Sequence, residues 1–148
     1  MDGYPKLDFP APHLRVKRGA DGSMYVWDSL RGRFLVLTPE EWVRRHLIAW
    51  LVSYGVPERN VCQEYPVDMS GAAQRADVVV VGKQGEPLLL VECKAAGVSI
   101  DASVFSQAVR YNSVLGARLV MLTNGLTHYV YRYDGTDYVP LESLPRLF

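Results

Sequence analysis

Cysteine is scarce, two residues in 148, and neither sign of charge dominates: 16 Lys and Arg stand against 16 Asp and Glu. Two cysteines, Cys62 and Cys93, cannot form a disulfide framework, so a reduced, intracellular (cytoplasmic) soluble protein is expected. A formal net charge of zero removes any global attraction to nucleic acid or an anionic membrane. Any nucleic-acid contact must then use a local patch. The chain has no N-terminal apolar h-region and no long apolar run, which argues against export and membrane spanning. Its three histidines, His13, His46 and His128, lack metal-ligand spacing and are expected to be structural or on the surface. No serine, histidine and carboxylate grouping suggests acyl transfer. The glycine-containing loop "GKQGEP" has neither the spacing nor the hydroxyl of a phosphate loop, so ATP-driven chemistry is not expected. There is no repeat and no low-complexity tract.

What is present is a chain 49% hydrophobic and 22% charged, suited to one compact domain with a sizeable core. The opening "MDGYPKLDFPAP" is proline-rich and expected to be extended. "HLRVKRGADGSMYVWDSLRGRFLVL" reads as three short strands broken at Gly19–Gly22 and Ser29–Gly32. Thr38 offers an N-cap, Pro39 a first helical position, and Glu40 and Glu41 suit the positive end of a helix. That helix should run to about Tyr54 and stop at Gly55, with Val43, Leu47, Trp50, Leu51 and Tyr54 on its apolar face. A strand near Val61–Tyr65 follows, then two apolar runs around "RADVVVVGKQGEPLLLVECKAAG". Ser99 or Asp101 can cap a second helix ending near Gly116. "RLVMLT" and "THYVYRYDG" read as a final hairpin turned at Asn124-Gly125. The expected order is β-meander, α, β, β, β, α, β, β, a mixed α/β domain.

The two apolar runs carry charge where a buried strand disfavours it. Period two places Leu88, Leu90, Glu92 and Lys94 on one face of the second run and Leu89, Val91 and Cys93 on the other. Cys93 therefore reads as core. With Gly82–Pro87 as the loop, Val81 sits across from Leu88, and counting back puts Asp77 directly opposite Glu92. Cβ atoms in such a pair lie roughly 4.5–5.5 Å apart, and like charges there repel. A hard divalent cation removes that penalty, because Mg²⁺ takes one or two carboxylates and keeps several waters. A lysine beside it can orient water or steady a phosphate. The alternative is a salt-bridged sheet in which Lys94 merely neutralises Glu92.

At these residues the sequence resembles the PD-(D/E)xK nuclease superfamily, through Asp77 followed by Glu92-Cys93-Lys94 on the next strand. Within it, the resemblance is to the N-terminal domain family of type I restriction enzyme R proteins. "LTPEEWVRRHLI", "SQAVRYN" and "MLTNGLTHY" extend that likeness from about Arg33 to Tyr133, in order. Ala76 stands where proline often precedes the aspartate.

The resemblance implies a restriction-endonuclease-like core, a central mixed β-sheet flanked by helices, over residues 39–148. Residues 1–38 would then form an N-terminal extension and β-meander on a single domain. It implies Mg²⁺- or Mn²⁺-dependent endonucleolytic hydrolysis of DNA, with Asp77 and Glu92 holding the metal and Lys94 assisting the nucleophile. The superfamily often adds an acid from the helix before the sheet. Glu40 and Glu41 compete for that role, and Glu40 is preferred because it lies toward the Val43, Leu47, Leu51 face, four residues before Arg44. Gln107 and Tyr111 share a helix face and match the QxxxY motif of the RecB-like branch; a carboxylate or bound phosphate would satisfy the glutamine. The solvated-and-core reading of that pair stays open. Read from the residues alone, Arg110 and the basic run Arg15–Arg18 on a strand edge are either phosphate contacts or ordinary solvated surface charge. Type I R proteins join this domain to an ATP-driven translocase for which 148 residues leave no room. DNA is the expected partner, with other restriction or defence subunits, no membrane, and a homo-oligomer as an option. The rival readings are a catalytically silent nucleic-acid- or protein-binding module and a dry ion-pair cluster.

Overall fold

The computed structural model describes residues 3–148. Three short strands come first, β1 Val16–Arg18, β2 Met24–Asp28 and β3 Arg33–Val36. They pair as an antiparallel meander, as their turn residues predict. α1 follows over Pro39–Ser53. The Thr38 hydroxyl caps it, accepting from the Glu41 N–H at 3.1 Å, and the chain leaves through Gly55 at φ +104°.

A second sheet holds β4 Val61–Met69, β5 Ala72–Val81, β6 Pro87–Cys93, β7 Leu119–Thr123, β8 His128–Tyr133 and β9 Tyr138–Leu141, side by side in that order. All neighbours run antiparallel except β6 and β7. A parallel pair needs a crossover, and α2, Ala102–Leu115, supplies it. Asp101 caps α2, accepting from Ser103 and Val104, and Gly116 ends it in the left-handed conformation.

The helices lie on opposite faces of this sheet. Val43, Leu47 and Leu51 of α1 pack on Val78, Val80, Leu89, Val91 and Cys93. Val104, Ala108 and Tyr111 of α2 pack on Val79, Leu90, Val120 and Leu122. Strands covered on both faces need apolar residues at every position, which accounts for the unbroken "VVVV", "LLLV" and "LVML". The N-terminal segment crosses one end of the layer. Asp8 donates its N–H to the Gly125 carbonyl at 2.7 Å, and Leu7 packs where a Cβ on Gly125 would stand.

Three expectations need correction. A ninth strand, Tyr138–Leu141, pairs with β8. β4 continues past Tyr65 to Met69 and carries Pro66 within it, tolerable because β4 is a sheet edge; β9, the other edge, carries Pro140. The β4–β5 turn is the two-residue loop Ser70-Gly71, both at positive φ. Finally, Val81 pairs with Pro87 and not Leu88, because a bulge falls between Val80 and Val81.

Candidate active site where two strands part

That bulge does not disturb the far end of the β5–β6 pair. Val80 lies opposite Leu89, Val79 opposite Leu90 and Val78 opposite Val91. The same count sets Asp77 against Glu92, where regular pairing ceases. The side chains take over from the backbone there. The Asp77 N–H donates to Glu92 Oε2 at 2.9 Å, and the Cys93 N–H donates to Asp77 Oδ2 at 2.8 Å. Each carboxylate thus spends one oxygen on the opposing strand. Asp77 Oδ1 and Glu92 Oε1 make no hydrogen bond among the described residues. On its other side, β5 faces an irregularity in β4. Gln63 pairs with Val78 and Tyr65 with Ala76, while Glu64 between them stands at φ +48°, an uncommon conformation for a residue with a Cβ. Asp77 therefore sits between two disturbed strands.

The electrostatics follow from burial. Glu92 is 4% exposed, and burial, then the Asp77 charge, pushes its pKa up to about 8. Burial also raises Asp77, against the Cys93 N–H, Arg44 and Lys94, which favour its ionised form. Glu40 is raised by burial and next by Asp77, with Arg44 and Lys94 opposing. Asp77, Glu92 and Glu40 are thus all held above their ordinary range, chiefly by burial, and a cation nearby would favour their ionised forms.

Lys94 continues β6 by donating its N–H to the Thr123 carbonyl at 2.9 Å. It lines an open cleft of about 360 Å³ with Glu40, Ser99, Asp101 and Gln107. Asp77 and Glu92 are not lining residues of that cleft, but both feel the Lys94 charge. Among the described residues no three His, Cys, Asp or Glu side chains converge as a ready metal cage. Two opposed carboxylates, each with an oxygen to spare, nonetheless suit a hard cation that retains water ligands.

Glu41 behaves differently from Glu40. It pairs with Arg44 at 2.9 Å and Arg45 at 3.0 Å, and Arg45 reaches the fully buried Asp28 at 3.2 Å. Arg44 thus pairs with Glu41 and not, as the four-residue spacing suggests, with Glu40. Gln107 and Tyr111 do share a face: Gln107 Nε2 donates to the Tyr111 hydroxyl at 3.1 Å, which donates to Gln74 Oε1 at 3.0 Å. The partner of Gln107 is therefore tyrosine and not a carboxylate. Cys93 is fully buried in the layer under α1, as the alternation requires.

Two contributors escape a reading by pattern. Arg44, 7% exposed, sets its charge beside Asp77 and Cys93. Asp28, at the end of β2, holds Arg31, Arg45 and Gln63 together. The signal for the first was two adjacent arginines on a helix face too buried to solvate them.

A fragment ascribed to an HsdR subunit of a type I restriction enzyme from Vibrio vulnificus YJ016 superposes with a TM-score of 0.57 at 20% identity. The match covers 74% of this chain and 24% of that one, so the chain spans about a quarter of the fragment's length. A protein from Anabaena variabilis ATCC 29413, ascribed to the nucleases of DUF820, gives 0.49 at 13% identity, covering 76% and 74%. No curated protein matches. The first likeness establishes a shared fold, the restriction-endonuclease-like core of a mixed sheet between helices. At the level of sequence, the type I restriction enzyme R protein N terminus (HSDR_N) matches residues 39–145, and the chain belongs to that family.

Proposed function

We propose that the chain is a nuclease domain that hydrolyses DNA phosphodiester bonds endonucleolytically with Mg²⁺ or Mn²⁺. Residues 39–148 act as the catalytic core and 1–38 as an extension of the same domain. The observation that carries this reading is the opposition of Asp77 and Glu92 at the end of a ladder, each with a free oxygen and a raised pKa. Those two residues would hold the metal, and Glu40, whose carboxyl feels the Asp77 charge, would add a third acid beside them. When bound, the metal polarises a phosphoryl oxygen and offsets the negative charge that develops on it.

The protein's own groups do the rest. Asp77 and Glu92 accept backbone N–H bonds that fix their carboxyl planes. Lys94 holds its ammonium in the cleft, where it steadies a phosphate oxygen or orients the attacking water. Gln107, itself oriented by Tyr111, adds a polar contact on the cleft wall. Glu41 stays with Arg44 and Arg45 and takes no part in the chemistry. DNA is the substrate, and other subunits of a restriction system are the proposed partners. The proposed place of action is the cytoplasm; among the described residues no helix is long and apolar enough to cross a membrane.

The test is cleavage of plasmid and single-stranded DNA with Mg²⁺ or Mn²⁺. Asp77→Asn and Lys94→Ala should each lower the rate by at least ~100-fold, and EDTA should abolish it. Equal cleavage by wild type and variants defeats the assignment. No cleavage, with metal binding intact in calorimetry, replaces it with a binding module of the same fold.

A further inference from the structure

The β-meander lies outside the family-matched residues 39–145, and its outward face has no role in the site. Val26 and Asp28 of β2 are fully buried, so alternation turns Tyr25 and Trp27 the other way. Register then assembles two rows across the sheet. Lys17 lies opposite Tyr25 and Tyr25 opposite Val36. In the next row the Arg15 carbonyl accepts from the Trp27 N–H at 2.8 Å, and Trp27 lies opposite Phe34.

This face alternates aromatic rings and cations. Trp27 and Phe34 meet edge to face at 5.2 Å between centroids. The Arg15 guanidinium stands 4.8 Å from the Trp27 centroid, and Lys17 Nζ 4.1 Å from that of Phe34. Arg15, Lys17, Arg18 and Arg33 make no ion pair among the described residues. Tyr25, Trp27 and Phe34 belong to neither core cluster. Residues 13–36 contain five Lys and Arg (Arg15, Lys17, Arg18, Arg31, Arg33) against two Asp (Asp21, Asp28), a net of +3 in a chain whose net charge is zero. Of the two acids, Asp28 points inward and is spent on Arg31 and Arg45.

From these observations we infer that the outer face of the meander is a docking platform for single-stranded nucleic acid, with Trp27 and Phe34 stacking bases and Arg15 and Lys17 meeting phosphates. Charge complementarity selects a polyanion. The rings select one with unstacked bases, because a duplex offers this face its phosphates and keeps its base faces to itself. An acidic protein would pair the cations but leaves the rings unexplained. Three strands about 4.8 Å apart make a surface roughly 10 Å across, room for two or three bases. β3 then runs on toward the cleft. Val36 and Glu40 are four residues apart, so their Cα atoms lie within about 14 Å of one another. A strand held on the meander would have one end near the cleft, although binding itself does not depend on cleavage.

The test separates the two by working in EDTA. Fluorescence anisotropy is measured with a labelled 15-nucleotide oligo(dT) and a duplex of the same length, on the full chain. Wild type should bind the single strand at least tenfold more tightly than the duplex. Trp27→Ala should weaken single-strand binding about tenfold, as loss of one stacked base requires. The double substitution Arg15→Ala with Lys17→Ala, on exposed side chains, should weaken it and flatten its salt dependence; it also stands in if Trp27→Ala does not fold. Equal affinity for both forms overturns the inference. So does single-strand binding that both substitutions leave unchanged. Absence of nucleic-acid binding, with an acidic peptide bound instead, assigns the face to a protein partner and overturns it as well.

Discussion

Replacing Glu92 by glutamine should make the metal-free protein more stable at alkaline pH and nearly unchanged at acid pH. Glu92 carries a pKa raised from 4.5 to about 8, by burial first and the Asp77 charge second. Between those values the folded state binds a proton that the unfolded chain has released. Stability is therefore full below pH 4.5 and falls as the pH climbs through 8. At about 1.4 kcal/mol per pH unit the whole loss is about 5 kcal/mol, a large share of the ~5–15 kcal/mol that holds a domain together. Glutamine is neutral throughout, and its side-chain oxygen can still accept from the Asp77 N–H. Asp77, Glu40 and Lys94 surround the position and remain in both proteins. Asp77 keeps a residual slope of the same sign. His46, whose pKa burial lowers, weakens the fold below pH 6.5 in both alike. Urea titrations in EDTA at half-unit steps from pH 5 to 9 give the difference directly. In thermal scans the gap should open to roughly 10–20 °C at pH 9. Parallel curves for the two proteins across that range would refute the claim that Glu92 is held protonated by its surroundings.

Other substitutions probe the frame around the site. Asp28→Ala leaves the buried Arg45 and the Arg31 guanidinium without their shared carboxylate and should cost about 3–5 kcal/mol in urea unfolding. Asn124→Ala removes the amide that accepts from Leu126 and Thr127 and donates to the Val98 carbonyl; a loss of about 2–4 kcal/mol is expected, with faster amide exchange around Val98 as its local sign. Thr38→Ala should cost about 1 kcal/mol through the lost cap of α1, and Thr38→Ser should restore most of it.

The parts legible beforehand are those governed by short-range chemistry. Thr38, Pro39 and Gly55 mark out α1 because caps and breakers act on their immediate neighbours, and Asp101 and Gly116 do the same for α2. The Asp77–Glu92 opposition was also countable, although the loop count that led to it was off by one at its start. The bulge at Val80/Val81 absorbs that error within one residue. What escaped depends on distant partners. Tyr138–Leu141 contains a proline and only four residues, and it is a strand because β8 offers it an edge. Arg44 chose Glu41 over Glu40 through the buried cluster centred on Asp28, which lies on another sheet. Gln107 found Tyr111 within its own helix, but the Gln74 side-chain oxygen that orients the tyrosine comes from β5. Nothing in the composition around Glu64 announces a left-handed backbone there.

Both borders of the six-stranded sheet contain a proline, Pro66 in β4 and Pro140 in β9. Proline has no N–H to donate, so neither border can accept an additional strand with a complete set of bonds. Continuous sheets across two copies, and the runaway stacking that precedes fibre formation, are obstructed at both ends. A partner protein, if the chain takes one, would then meet side chains on the helices, loops or meander, where binding can be tuned or reversed without unravelling the sheet.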